Sequence, residues 1–234
     1  SSAFTSARII VTDAPPILSL SLRFLISGMV GIAIARMLGQ TWRLTPAQWK
    51  ATIVFGICQN ALYLGMNFVA MQSIEASLAS IIASTMPLAV GFAGWVILGE
   101  RLSWVGILGL FAGALGVALI MGARMQEGVD LFGIVLCFIA VASLTVATLM
   151  VRGASSGGNL LMIIGLQMLV GSALLAIPGL LLEHKVVVWS SKLIMAFSYT
   201  VLMPGLVATF IWFWLVRRIG AVKAATFHFL NPFF

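Results

Sequence analysis

The chain has 234 residues, 62% of them hydrophobic and 8% charged, with a formal net charge of +7. A soluble domain carries about 25% charged residues, so this composition excludes an ordinary water-soluble fold and places the chain in lipid. The basic residues are scattered between long apolar runs, with no basic run or interleaved aromatic patch, which excludes nucleic acid as a partner.

A helix needs about 20 apolar residues to cross a bilayer. The opening "SSAFTSARII" reads as the end of an incomplete first span, stopping near residue 10; it has no basic n-region or cleavage site, so no signal peptide is expected. After the turn "DAPP" the second span runs over 17–38, with Arg23 under two turns from its outer end. Snorkelling or packing is the preferred role for Arg23 over substrate binding. The third span, 49–71, places Asn60, Tyr63 and Asn67 on one helical face, with Gln59 beside them. Buried amides and a phenol need partners or water, so this face is expected to line a cavity.

The fourth span, 76–98, carries a stripe of Ser77, Ser80 and Ser84 and then Pro87. Serines alone are as well read as glue between helices or as bonds to the preceding turn. "GERLS" follows, with Ser103 as the expected N-cap of the fifth span, 103–122, and Glu100 and Arg101 in a membrane-surface turn. That span holds Gly106, Gly109, Gly113 and Gly116. A GxxxG at 109–113 allows close backbone approach, inside the bundle or in a homodimer. The sixth and seventh spans are 131–151 and 160–182, separated by "SSGG". The eighth, 193–216, has Pro204 as a kink and two tryptophans. Trp212 and Trp214 point about 200° apart, so one can face a cavity while the other sits in an interfacial belt beside Arg217. The ninth, from 221 onward, ends in "HFLNPFF", with His228 and Asn231 on one face and Pro232 beside them. Pro87, Pro204 and Pro232 are the expected helix breaks. Cys58 and Cys137 fall in apolar runs and read as reduced packing residues. The fold class is therefore an all-α membrane bundle of about nine spans.

Alternate connections divide the charges. One set holds Arg36, Arg43, Lys50, Arg101, Arg152, Arg217, Arg218 and Lys223 against the single acid Glu100. The other holds Arg8, Arg124, Lys185 and Lys192 with Asp13, Glu75, Glu127, Asp130 and Glu183. The basic-rich set is expected in the cytoplasm.

The chain also repeats itself. "FVAMQSIEASLASIIASTMP" overlays "FWLVRRIGAVKAATFHFLNP" at an offset of 145, placing Pro87 on Pro232 and Asn67 on Trp212. A weaker match at 144 places "RFLISG" on "QMLVGS", Arg23 on Gln167. Five spans separate equivalent helices, an odd number, so the copies enter the membrane in opposite orientation, an architecture of secondary transporters with a midplane site. The expected units are 1–123, its first helix incomplete, and 129–234, its ninth helix incomplete and a tenth missing.

The run 76–122, with its small-residue helix, Pro87, Gly99-Glu100 and Gly-rich helix, resembles the core signature of the drug/metabolite transporter superfamily, EamA-type permeases. "PPILSLSLRFLISG" resembles that family's second helix through Arg23-Phe24. The resemblance implies ten helices in full length, both termini cytoplasmic, a bacterial inner (plasma) membrane, and export of small metabolites such as amino acids. The expected site is lined by the third, fourth, eighth and ninth spans, with Asn60, Tyr63, Asn67, Ser80, Ser84, Trp212, His228 and Asn231 as candidates. Its partners would be a small-molecule substrate and the lipid bilayer, with no cofactor and no metal. Nucleotide sugars or organophosphates are the alternative cargo, though phosphate calls for several basic groups and Arg23 is the only one at depth. An intramembrane lipid-modifying enzyme is disfavoured, because His184 and His228 form no cluster with acids. His228 either relays a proton or donates to a neighbouring carbonyl.

Overall fold

The computed structural model describes the backbone of residues 2–99, 103–124, 130–154, 158–184 and 186–233, and every side chain in it except those at 98, 120, 121, 123, 124, 151–154 and 231–233. Glu100, Arg101 and the side chains of Asn231 and Pro232 lie outside the described residues. The described backbone forms nine helices and no strand: α1 (Ser2–Asp13), α2 (Pro16–Met37), α3 (Pro46–Ala70), α4 (Ala76–Ile97), α5 (Trp104–Arg124), α6 (Leu131–Ala154), α7 (Leu160–Leu182), α8 (Ser191–Ile219) and α9 (221–233). Six of them (α2, α3, α4, α6, α7 and α8) are long and apolar enough to cross a membrane, and α5 contains a shorter apolar stretch, Trp104–Leu119. The bundle is apolar outside, and its largely apolar interior also holds the polar side chains of the spans. Phe111, Leu181 and Trp104 point outward, whereas Arg23, Asn60, Asn67, Gln167 and Thr200 are buried among Phe24, Phe68, Met168 and other apolar side chains. Turning the polar residues of a span inward is the expected arrangement for a protein whose solvent is hydrocarbon.

Loop contacts sort the connections into two ends. Gln40 Oε1 accepts from Met162 N at 3.1 Å, and Asn159 Oδ1 accepts from Thr41 N at 3.2 Å, joining the α2–α3 and α6–α7 connections. At the other end Val188 N donates to Asp13 O at 2.8 Å, and both Glu183 oxygens accept from the N-terminus of α2, at Ile17 N and Leu18 N, 2.8 Å each. Asp130 caps α6 by accepting from Phe132 N and Gly133 N, and bonds Ser73 of the α3–α4 connection; these bonds, Ser73 first, hold its carboxyl below the usual range. These described connections divide as the charge sets do: those after α2 and α6 share one end, and those after α1, α3, α5 and α7 lie apart from them, with Asp13, Glu183 and Asp130 among their contacts.

Helix starts follow ordinary capping chemistry. Thr45 Oγ1 accepts from Gln48 N while Gln48 Oε1 accepts from Thr45 N, a capping box, and Pro46 occupies the first turn. Ser190 Oγ accepts from Leu193 N, and Ser103 Oγ accepts from Gly106 N, as its place before α5 anticipates. Thr45 and Ser190 are 145 residues apart.

The same offset recurs inside the helices. α3 widens into a π-helical segment at Gly56–Leu64, and α8 at Val201–Val207, so the two wide segments begin 145 residues apart. Each is crossed by a helix from the other half of the chain. Ser27 of α2 donates to Val201 O at 2.9 Å, and a Cβ on Gly205 would meet Ser27 Oγ at 2.8 Å. In the corresponding place on α7, a Cβ on Gly171 would meet Asn60 Cβ at 2.3 Å. Gly205 lies 145 residues after Asn60, and Gly171 lies 144 after Ser27. The small residue is on the wide helix in one copy and on the crossing helix in the other.

α2 and α7 run antiparallel at the centre. Ser21 Oγ donates to Ser172 O and Ser172 Oγ to Ser21 O, both at 2.9 Å, and Gly28 faces Gly165. Small residues permit this approach, as in other membrane helix pairs. The Gly-rich face of α5 behaves differently from a continuous packing seam. A Cβ at Gly113 would strike the Phe229 ring of α9, but one at Gly109 or Gly116 would meet nothing within 4 Å.

Two expected helix breaks take specific forms. α4 leaves α geometry at Ser84 and Thr85 and restarts at Met86, with Pro87 in the new first turn where its missing N–H costs nothing. Pro204 falls inside the wide segment of α8. α9 is α-helical only through Ala225, then continues as a 3-10 helix over Thr226–Phe233, in which Pro232 lies.

Candidate functional site

Proline shapes the site first. Pro204 has no N–H to offer the carbonyl four residues before it, Thr200 O. Arg23 of α2 donates to that carbonyl from the side, with Nε 3.0 Å from Thr200 O. Arg23 is only 5% exposed, and its guanidinium carbon lies 5.1 Å from the Phe24 ring centroid. Of the two roles preferred from the sequence, snorkelling and packing, Arg23 takes the packing contact, as a cation held in the protein interior.

Beside it lies a cavity of about 300 Å³. α3 supplies Phe55, Gln59, Tyr63 and Asn67; α8 supplies Thr200, Pro204, Thr209 and Trp212; α9 supplies His228. Ala7 of α1, Arg23 of α2 and Leu144 of α6 also reach the wall. The ring of His228 packs edge-on against Trp212, with centroids 5.2 Å apart. Asn67 Nδ2 donates to Tyr63 O at 2.8 Å, and its Oδ1 accepts from Cys137 Sγ at 3.6 Å, fixing the amide on the wall. Gln59 Oε1 is buried with no hydrogen-bond partner among the described residues. Among the described residues no Asp or Glu lines the cavity.

The structure thus brings together Tyr63, Asn67, Trp212 and His228 from the sequence candidates. Asn67 and Trp212, paired through the repeat, share one cavity. It does not bring in three others. Asn60 turns the other way and donates through Nδ2 to Gln167 O, at 2.9 Å, and to Gln167 Oε1. The cause is the π segment between it and Asn67: i→i+5 turns advance less than the 100° per residue of an α-helix, so the i, i+7 face is sheared. Gln59 takes the wall position instead. Ser80 and Ser84 are buried on α4, which packs against α1, α6 and α9 and contributes nothing to the wall. Ser84 Oγ is engaged by Ile81 O in its own helix. The expected lining by the fourth span is corrected to lining by α1, α2 and α6 beside α3, α8 and α9. For Asn231 only the backbone, within the 3-10 segment, is described.

Trp214, by contrast, faces outward: it is 46% exposed, and the Arg218 guanidinium lies 5.2 Å from its ring centroid. Among the described residues there is no group of three or more His, Cys, Asp or Glu placed to hold a metal ion.

Sequence reading missed Thr200 and Thr209; Gln59 and Arg23 were noted in it but not taken as cavity residues. Pro204 was the signal for Thr200 and Arg23, because a proline in a span withdraws its donor from the carbonyl four residues back and invites another helix's donor there.

The comparisons agree with this architecture. The chain is 26% identical over 220 residues to the uncharacterized transporter YvbV of Bacillus subtilis (strain 168), covering 94% of this chain and 72% of that protein. It is 22% identical over 229 residues to the uncharacterized transporter YoaV of the same organism, covering 95% of this chain and 77% of that protein. A solved crystal structure superposes with a TM-score of 0.76 at 21% identity, over 99% of this chain and 82% of the other, and so shares the fold. The description "EamA-like transporter family" matches residues 1–122, more than half of the 234. An integral membrane bundle of apolar-surfaced helices, matched over that length, this chain belongs to the EamA-like transporter family.

Proposed function

We propose that this membrane transporter is a secondary carrier that moves small organic metabolites, amino acids among them, by alternating access, with the α3–α8–α9 cavity as its substrate site. The observation that carries the reading is a cavity walled by helices from both halves of the chain, with Arg23, Gln59, Asn67 and Thr209 set among apolar side chains, inside an apolar-surfaced bundle. Carriers built from two inverted units hold their solute between the units near the midplane. The units proposed are 1–123 and 129–234, supported by the caps and wide segments that recur 145 residues apart. Export across a bacterial inner membrane is the proposed direction and place; the two relatives named above are bacterial proteins. At about 300 Å³ the cavity is at the small end of ligand pockets, which run roughly 300–1,000 Å³. That size and a single wall arginine favour small metabolites over nucleotide sugars or organophosphates.

The test is flux through the full-length protein reconstituted in vesicles, loaded on either side with a panel of labelled amino acids and purines. Saturable flux weakened by Asn67→Ala and by Trp212→Ala is expected. Absence of saturable flux across the panel, or flux indifferent to both substitutions, refutes the site.

A further inference from the structure

We infer that Arg23 is the anion-holding residue of the cavity and that the carried solute bears a carboxylate. The inference rests on the reading of the cavity as the transport site.

A buried guanidinium is costly in a low-dielectric interior unless something compensates it. Arg23 is 95% buried by the same measure that leaves it 5% exposed, and it lines the cavity. Its one hydrogen bond within the described protein uses Nε, leaving the two terminal nitrogens of a five-donor fork. Among the described residues no Asp or Glu lines the cavity and no carboxylate pairs with Arg23. The ring of Phe24 touches the guanidinium but cannot neutralise it. A residue that served only to tie α2 to the Pro204 gap would need one donor and no formal charge. The Ser27–Val201 contact, one turn along, does the same job with a hydroxyl.

The form of the anion follows from what else is on the wall. A phosphate dianion calls for several basic groups, and here there is one arginine and no lysine. A planar carboxylate matches the guanidinium fork in shape and in charge. Nearby, Gln59 Oε1 is a buried acceptor with no donor, so the same solute is expected to present an N–H or O–H to it. Trp212, Tyr63 and Phe55 leave an apolar remainder of the cavity for a short side chain. The class is a small organic acid carrying one further donor.

The experiment uses the full-length carrier in proteoliposomes with matched labelled probes. For each of alanine, leucine and phenylalanine, three forms are compared: the amino acid, the acid lacking the amine, and the amide lacking the free carboxylate. Saturable flux of at least one acid-bearing form is expected, with no flux of its amide. Arg23→Gln is expected to raise KM for that acid about ten- to hundredfold, the usual worth of a charge-assisted hydrogen bond. Arg23→Lys keeps the preference for acid over amide with a smaller loss, because it retains the charge without the fork. If Arg23→Gln does not reach the membrane, the acid–amide comparison on the parent and on Arg23→Lys decides. An amide carried as well as its acid, or an unchanged KM in Arg23→Gln, overturns the inference. Flux of amides or of labelled purines with no acid carried overturns it while leaving the transport reading standing. No flux of any probe overturns both.

Discussion

Alanine at Gly165 would test whether the α2–α7 contact sets the geometry of the bundle. The added Cβ falls 2.6 Å from Ile32 Cγ1, 2.9 Å from Gly28 O and 2.9 Å from Ile32 N, where ordinary contact begins at 3.4 Å. The first of these atoms belongs to a side chain that can rotate away. The other two are backbone, so the helices themselves must part by about half an ångström. Overpacking of this kind costs about 1–3 kcal/mol. For a chain of this size that corresponds to a fall of about 2–12 °C in melting temperature. Gly109→Ala is the matched control, since nothing lies within 4 Å of its Cβ and helix propensity favours the alanine. Melting of a fluorescent fusion in detergent, read by size-exclusion chromatography, compares the two. Gly165→Ala should melt below the parent and Gly109→Ala at or above it. If Gly165→Ala melts with the parent, the helices yield at that crossing and the argument from close approach fails.

Other substitutions separate packing from binding. Asn60→Leu strands Gln167 Oε1 and should cost about 1–3 kcal/mol in melting while leaving the KM of a carried solute unchanged. Asn67→Ala should do the reverse, raising KM, since Asn67 is on the wall. Thr45→Ala and Ser190→Ala should each cost about 1 kcal/mol, and the double variant should show the sum, because the two caps share no partner. Asp130 lies outside the spanning part of α6, and its folded carboxyl is below the ordinary range. Its ionised form therefore favours the folded state above about pH 4, and that contribution disappears as pH falls through the lower folded value. Asp130→Ala should melt below the parent at pH 7, with the gap closing in acid; a gap that widens in acid would reverse the assignment.

The spans were legible because hydrocarbon demands long apolar helices, and loop prolines, glycines and charges mark their ends. The pairing of Asn67 with Trp212 was legible through the repeat. The side of the helix on which Asn60 sits was not, because nothing in "GICQNALYL" announces a π segment, and seven residues of α-helix and of π-helix end on different faces. For Arg23 the sequence left snorkelling and a packing contact together, since an arginine near the end of an isolated span can do either; the bond from α2 to Thr200 O of α8 decides for the contact. The serine stripe of α4 reads alike whether it faces a cavity or a neighbouring helix; tertiary packing alone decides it.

The two π segments have a consequence for chain length. A π bulge is an α-helix that has accepted a surplus residue without losing its backbone bonds. Deleting one residue from 60–64 would let α3 close up as an ordinary helix with Asn67 and Phe68 where they are, because one residue fewer at about 100° each covers the rotation that the wide turns now spread over one more. Straightening the segment at its present length would instead turn everything beyond it by about 100°, and the amide would leave the wall it now shares with Trp212. The composition of this cavity is written partly in which residues α3 has and partly in how many.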